Sequence, residues 1–204
     1  MVVKILMIFA EFERTSTITR VTQAYAHRSE MGFYMGGRQP YGFQLVPAVI
    51  NNIRTKKLDA VPEEAEQIRY IFEVYAQENV SLRRLQDILV TEGRTPLNGS
   101  DWTTAKLSAI LKNPIYVRAD SDVYDYFEHH GVHMVTDCSE FTGEYGAQLY
   151  GKTKHKRNDP DWSDMKLVLL THQGLVSSDI WLKCQRKHHG VHMVTDCSEF
   201  TGEY

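Results

Sequence analysis

The most versatile side chains of this chain lie in a segment of seventeen residues, HHGVHMVTDCSEFTGEY, which occurs at residues 129–145 and again, identically, at 188–204. Histidine and cysteine are preferred zinc ligands, and histidines four residues apart can share one helix face. The two possible ligand sets are His129, His130, His133 and Cys138, and His188, His189, His192 and Cys197. A glycine lies between the histidines of each set and opposes the continuous helix that would place them on one face. A metal site is therefore only an alternative interpretation, and we expect neither a metal nor a cofactor.

Lysine and arginine side chains offer a second chemistry, the binding of phosphate groups. The formal net charge is -3, but the charges are segregated along the chain. Residues 1–61 hold eight Lys/Arg against four Asp/Glu, residues 146–187 hold the same counts, and residues 62–145 hold seven against fifteen. Two basic segments therefore flank an acidic one, a distribution that the net charge conceals.

A long helix and a hinge are the first elements that must position these side chains. Residues 3–28 contain neither Pro nor Gly and predict one helix of roughly 40 Å. Its first part, residues 2–12, is apolar on nearly every face and predicts partners on several sides. The segment MGFYMGGRQPYG then predicts a glycine-rich hinge over residues 31–42, YGFQLV a short strand or hairpin arm, and residues 51–62 a polar connection.

Three closely spaced helices are predicted next. The first covers residues 63–77, the second begins after Ser81 as its N-cap and ends near Gly93, and the third covers residues 103–112. A tri-helical unit whose last two helices are joined by a turn containing glycine is compatible with a helix-turn-helix arrangement. Trp102, just before the third helix, is interpreted as a core residue that pins it.

The remaining segments complete the predicted fold. Residues 115–150, rich in Tyr, Val and Phe, predict strands and loops of a small sheet. A basic loop, GKTKHKRNDPDW, a strand, MKLVLL, and an amphipathic helix, SSDIWLKCQRK, follow. The predicted class is α+β and mainly helical, with a long N-terminal helix, a tri-helical helix-turn-helix-like unit, a small β-sheet and a C-terminal helix.

Several of these motifs together resemble the large serine recombinases, in particular those of conjugative transposons. The similarity is carried by FAEFERTSTITR, GGRQPYGF, IRYIFEVYAQ, SLRRLQDILVTEGRTPLNGSDWTTAKLSAILKNPIY and HQGLVSSDIWLKCQRK, and covers about residues 8–187. It implies the end of the catalytic domain's long helix at 1–30, a hinge and connection at 31–61, and a recombinase, DNA-binding domain at 62–187.

The resemblance also implies what the parent protein does. In this family an N-terminal catalytic domain carries a serine that attacks a DNA phosphate and forms a phosphoserine link, for integration or excision of a mobile element. No serine here matches that nucleophile, since Ser16 lies within the predicted long helix, so we expect no catalytic residue and no DNA cleavage by this chain alone. The family's Cys-rich zinc ribbon has no four-ligand counterpart in the chain.

Double-stranded DNA is the partner that the resemblance implies, and twelve residues are the predicted contacts. Phosphates are met by Lys and Arg, and base edges by side chains of a helix in the major groove. The predicted contacts are Arg14, Arg20, Arg28, Arg38, Thr103, Thr104, Lys106, Ser108, Lys152, Lys154, Lys156 and Arg157. The acidic residues around 120–128 are expected to face away from DNA.

Other classes of function remain open from the sequence. The apolar helix at residues 2–12 also fits self-association, so that the chain is either an oligomerising protein-interaction module or a DNA-binding regulator without recombinase activity. The cysteine usage and the absence of a signal peptide or membrane-length apolar run predict a cytoplasmic protein that meets no membrane. The second copy, 188–204, has not diverged from the first, which indicates a recent, engineered or misassigned duplication beyond the natural sequence.

Overall fold

The computed structural model describes residues 2–37, 39–50, 52–97, 99–151, 154–156 and 159–189. The helices are α1 (Val2–Glu30), α2 (Pro62–Tyr75), α3 (Leu82–Thr91), α4 (Thr104–Lys112), α5 (Ser121–His129) and α6 (Ser178–His189). The strands are β1 (Phe43–Ile50), β2 (Ile53–Ala60), β3 (His133–Met134), β4 (Tyr145–Tyr150), β5 (Lys154–Lys156), β6 (Asp159–Asp161) and β7 (Lys166–Gln173). Short 3-10 helices span Pro114–Tyr116 and Cys138–Glu140. The predicted α+β, mainly helical class is confirmed.

The three-helix unit forms where capping and apolar spacing predict it. Ser81 Oγ accepts the backbone N–H of Arg84 at the start of α3, and Thr103 Oγ1 accepts that of Lys106 at the start of α4, both at 3.2 Å. Such caps satisfy backbone donors that a helix start leaves unpaired. Buried side chains of α2, α3 and α4 enter one core together with Trp181 of α6. The buried face of α4 is thus fixed by the core, and the opposite face of α4 is accessible to solvent.

The glycine-rich hinge leads into a hairpin of β1 and β2, and the prediction of a polar connection over residues 51–62 is wrong. The strands pair antiparallel from Phe43 opposite Ala60 to Ile50 opposite Ile53. Asn52 has a φ of 62°, the left-handed conformation that a two-residue hairpin turn requires and that Asn tolerates well. The sequence of β2, IRTKKLDA, hides its strand character because only Leu58 is buried.

A separate three-stranded sheet has the strand order β3-β7-β4. Its central strand, β7, corresponds to the predicted strand MKLVLL. The segment expected to hold only strands and loops also contains α5. Asp120 caps this helix by accepting the N–H groups of Asp122 and Val123, each at 3.2 Å. Val123 and Phe127, four residues apart, are buried. The spacing and the cap therefore outweigh the β propensity of the Val, Tyr and Phe residues.

The long helix α1, predicted over residues 3–28, is confirmed, and its C-terminal end is fixed to the sheet. Glu30 forms a 3.1 Å ion pair with Lys166 of β7, and Tyr150 Oη of β4 donates to the Phe33 carbonyl at 3.0 Å. At Gly32, with a φ of +74°, an added Cβ would lie 2.5 Å from the Leu169 carbonyl oxygen. Only glycine permits this approach of the two backbones.

Towards its N-terminus, α1 exposes large apolar side chains. They are Met7, Ile8, Phe9, Phe12, Ile18, Val21 and Tyr25, with exposures from 48% to 71%. Within the part of the chain that the structure describes, no helix combines the length and the apolarity needed to cross a bilayer.

The duplicated segment has different surroundings in its two copies. The first copy runs from the last residue of α5 through β3 and a 3-10 helix to the first residue of β4, where the sequence had predicted only a strand and a loop. The predicted C-terminal helix, SSDIWLKCQRK, ended at residue 187, but α6 continues through the first two residues of the second copy, His188 and His189. Residues 190–204 lie outside the described part of the chain.

Candidate nucleic-acid interface

The connection between α3 and α4 orients the third helix of the unit. It is held by Trp102, which is buried as predicted: its Nε1 donates to the Arg94 carbonyl at 2.9 Å, and its own carbonyl accepts from Gln86 at 2.8 Å. The Arg94 guanidinium lies 4.0 Å from the centre of the Tyr70 ring. At residues 92–103 the connection is longer than the three or four residues of a compact helix-turn-helix turn. Its internal bonds nevertheless give α4 a fixed start.

The polar residues predicted to read DNA from α4 do not all point outward. Thr103 is exposed and serves as the N-cap, and Thr104 is half-buried. Lys106 Nζ donates to Ser100 Oγ at 3.0 Å and to the Asp101 carbonyl at 2.8 Å. Its cation is thus bound to the preceding loop.

Ser108 faces a neighbouring helix. Its Oγ lies 2.9 Å from Nε2 of His188 in α6. Burial, and then the nearby Lys112 cation, lowers the pKa of His188, so the ring is held neutral beside the serine. Ser108 therefore contributes to helix packing as well as to the partly accessible surface.

The exposed face of α4 is formed instead by residues that the sequence reasoning passed over. Ala105, Ala109 and Lys112 are exposed at spacings of four and three residues, which places them on one face. The spacing of the buried residues Leu107, Ile110 and Leu111 was the signal that would have found them, since the exposed face lies opposite the buried one. This face has two alanine side chains and a cation at its C-terminal end.

The arginines predicted on α1 do not form a single row. At 100° per residue, Arg14 and Arg28 lie about 40° apart around the helix, and Arg20 lies about 120° from Arg14. Arg14 and Arg20 are exposed. Arg28 is half-buried, with its guanidinium 5.2 Å from the centre of the Phe33 ring and one nitrogen 3.4 Å from Thr55 Oγ1 of β2. The structure therefore brings Arg28, alone of these three, against the hairpin.

A basic groove lies where α1, the hinge and β2 meet. Its volume is about 510 Å³, and its cations are Arg28, Arg54 and Lys56. Arg54 and Lys56 were assigned by sequence to a polar connection and were not proposed as contacts. The hairpin register, which the sequence did not reveal, is what places them beside Arg28.

The predicted basic loop near residue 155 is a hairpin in part. β5 and β6 pair antiparallel, with Lys154 opposite Asp161 and Lys156 opposite Asp159. In the backbone register, each lysine position of β5 is therefore paired with an aspartate position of β6. Lys152 and Arg157, like Arg38 of the hinge, lie outside the described residues.

The acidic segment occupies a separate element. Asp122, Asp125 and Glu128 are exposed on α5, and Asp120 caps that helix and accepts a hydrogen bond from Ser178 of α6. Their carboxylates give this face a negative charge that repels phosphate.

The first of the two possible metal-ligand sets lies within the described residues and is not assembled there. Nδ1 of His129 and of His130 lie 2.7 and 2.6 Å from the carbonyl oxygens of Asp125 and Tyr126, and the His130 ring stacks on Trp162. Among the described residues no three His, Cys, Asp or Glu side chains converge on a possible metal position. Of the second set, His192 and Cys197 lie outside the described residues.

One buried histidine lies at the base of the β1–β2 hairpin. His172 Nε2 donates to the Ile115 carbonyl at 2.8 Å, and its ring meets that of Phe43 edge-on with centroids 4.7 Å apart. Nδ1 is buried without a hydrogen-bond partner. Burial lowers the pKa of His172 to about 4, so this ring is neutral at pH 7.

Comparisons with known proteins place this geometry in a family. A solved structure described as "Crystal Structure of a LSR-DNA Complex" is similar at a TM-score of 0.49 and 18% sequence identity, over 88% of this chain and 43% of that one. The chain thus spans less than half the length of that protein. The family model described as Recombinase matches residues 62–190, from the start of α2 to the residue after α6. The chain belongs to the Recombinase family.

Proposed function

We propose that this chain is the DNA-binding part of a site-specific serine recombinase and that its ligand is the duplex DNA of an attachment site. The observation that carries the proposal is the match of the Recombinase family over residues 62–190. That match covers all of the three-helix unit and the helix α6 that packs against it. Strand exchange, integration or excision would be the activity of the parent protein to which this binding contributes.

The exposed face of α4 supports a role in the major groove. A helix fits that groove when its outward side chains are short enough for close approach, and apolar methyl groups can contact the methyl group of thymine. Ala105 and Ala109 provide such methyl groups, and Lys112 provides a cation for a neighbouring phosphate. Thr103 and Thr104, at the start of the same helix, remain proposed contacts.

The other predicted contacts enter the proposal with unequal support. Arg14, Arg20 and Arg28 are accessible or half-accessible on α1, and charge supports Lys154 and Lys156 of β5. Lys106 and Ser108 have less support, because each already has a partner inside the protein. Arg38, Lys152 and Arg157 are proposed on sequence alone.

The test of DNA binding is the affinity of the purified chain for duplex DNA at about 50 and 200 mM salt. Binding through phosphates releases counterions, so the affinity is expected to fall by orders of magnitude over this range. An affinity that is absent, or that does not change with salt, would contradict the proposal.

A variant of α4 tests which face binds. Ala109→Glu places a negative charge on the proposed groove-facing side and is expected to weaken duplex binding roughly tenfold, through repulsion of phosphate. The matched control is Ser121→Glu, which adds the same charge at the exposed start of α5, where the helix dipole tolerates it. This control is expected to change affinity less than about twofold, and equal losses in both variants would remove α4 from the interface.

Self-association through α1 is a second part of the proposal. The exposed Met7, Ile8, Phe9 and Phe12 lie within two helical turns, and apolar surface of this kind is favourable to bury. Sedimentation of the chain and of a Phe9→Ser/Phe12→Ser variant tests it, since the variant is expected to be monomeric at concentrations where the parent associates. A cytoplasmic location, where a DNA partner and reduced cysteines are both expected, belongs to the same proposal, and cell fractionation tests it.

A further inference from the structure

The basic groove between α1, the hinge and β2 is defined by three cations on two separate elements. Arg28 comes from the last turns of α1, and Arg54 and Lys56 come from β2. Met35 and Gly36 of the hinge complete one wall. The groove has a volume of about 510 Å³, and none of the residues that line it belongs to α4.

The charge of this groove is uncompensated. No acidic residue lines it, and within the described residues no carboxylate lies at ion-pair distance from Arg28, Arg54 or Lys56. Like charges that line one cavity repel one another, and an anion bound between them removes that repulsion. The groove therefore has the electrostatic character of an anion site.

One wall of the groove is already fixed. The Arg28 guanidinium is held between the Phe33 ring and Thr55 Oγ1, and these contacts restrict its side chain before any ligand arrives. A cation fixed in this way loses less conformational entropy on binding than a free one. Arg28 therefore provides a cation of fixed position, whereas the exposed side chains of Arg54 and Lys56 can adjust to the ligand.

The spacing of the cations indicates what kind of anion fits. Arg54 and Lys56 start about 7 Å apart along the strand, a spacing that favours two successive phosphates of one strand over a single small anion. We infer that this groove binds the phosphodiester backbone of duplex DNA beside the segment that α4 contacts. The inference rests on the proposed function and adds a second contact, which connects the long helix and the domain through the DNA.

The experiment compares two double variants of the full chain. Arg54→Gln/Lys56→Gln removes two cations from the groove, and the matched control Lys183→Gln/Arg186→Gln removes two exposed cations from α6. Duplex affinity is measured at several salt concentrations, with thermal unfolding as the check that both variants fold. The groove variant is expected to bind roughly tenfold more weakly, with a salt slope reduced by about two. The control is expected to stay within about threefold of the parent, with the parent slope.

The outcomes separate the inference from the proposed function. If the unaltered chain fails to bind duplex DNA, the proposed function fails. If the unaltered chain binds, and the groove variant matches the control in affinity and slope, the inference is overturned and the proposed function stands. Inorganic phosphate is titrated in parallel. Protection of the fold by phosphate that the groove variant loses, combined with unchanged duplex binding, would assign the site to a free anion and also overturn the inference.

Discussion

The two basic hairpins of this chain carry similar numbers of cations but differ in what lies opposite them. In the β1–β2 hairpin Arg54 faces Val49 and Lys56 faces Pro47, so the cations have uncharged cross-strand partners. In the β5–β6 hairpin the backbone register pairs each lysine position with an aspartate position. Opposite charges at paired positions offset each other's field, as cross-strand pairs do in sheets.

From this difference we expect the count of lysines in a segment to be a poor measure of its affinity for phosphate. The basic segment at residues 152–157 is the more conspicuous in the sequence, whereas the β1–β2 hairpin has the uncompensated charge. We therefore expect the pairing register, more than the composition, to decide which cations are available to DNA. The following predictions test this comparison.

The largest expected effect comes from the anchoring of the first hairpin to the core. Leu58 is 3% exposed, and Leu58→Ala is expected to lower the free energy of unfolding by about 2–4 kcal/mol, through lost burial and the cavity left behind. Val49→Ala, at a side chain 68% exposed in the partner strand, is the control and is expected to change it by less than about 0.5 kcal/mol. Denaturation in urea measures both, and similar losses would mean that the hairpin is not anchored at Leu58.

Acid is expected to destabilise the base of the same hairpin through His172. Its pKa is about 4 in the folded chain against the ordinary value of 6.5, so the unfolded chain binds a proton first as pH falls. The stabilisation by the neutral ring is complete above pH 6.5 and is lost as pH falls towards 4.

A loss on the order of 2 kcal/mol is expected between pH 7 and pH 4.5 from this group. Other groups also titrate in that range, so the measurement is the difference between the parent chain and His172→Gln in urea denaturation at both pH values. The variant is expected to be less stable at pH 7 and to show a smaller dependence on pH. An equal dependence in the two proteins would contradict the role of His172.

Neutralising the lysines of the second hairpin is expected to have a modest effect. Lys154→Gln/Lys156→Gln should weaken duplex binding about threefold, less than the roughly tenfold expected for the two cations of β2, because the aspartates opposite already offset part of the charge. Fluorescence anisotropy with one labelled duplex measures both variants under the same conditions. A larger loss for the second hairpin would reverse the comparison.

The smallest effect is expected from removing the acids of the second hairpin. Asp159→Asn/Asp161→Asn leaves both lysines uncompensated and is expected to strengthen duplex binding about twofold, with a steeper dependence on salt. The same change made at Asp122 and Asp125 of α5, on the face proposed to point away from DNA, is the matched control. A twofold gain in the control as well would indicate a general effect of net charge.

The helices of this fold were predictable because their signals are local. Ser81 and Thr103 cap α3 and α4 with side chains that sequence spacing identifies, and the apolar spacing of each helix predicted its buried face. Trp102 was likewise interpreted correctly as a core residue. The family resemblance rested in part on the same helices.

What the sequence did not predict depends on pairing between segments. β2 buries little except Leu58, so its strand character comes from β1, and the groove with Arg54 and Lys56 could not be foreseen without that register. The helix α5 was missed because its residues have high β propensity. The roles of Lys106 and Ser108 depend on partners in a loop and in α6, which spacing along one helix does not reveal.

The close approach at Gly32 has a consequence for the geometry of the whole protein. Because Gly32, two residues after the end of α1, lies directly against the Leu169 carbonyl, the point at which the helix meets the domain is fixed, and its 29 residues extend about 43 Å. On duplex DNA this length corresponds to about 13 base pairs at 3.4 Å each. The length of the helix thus sets the distance between Gly32 and its far end, and one added helical turn would increase that distance by about 5.4 Å.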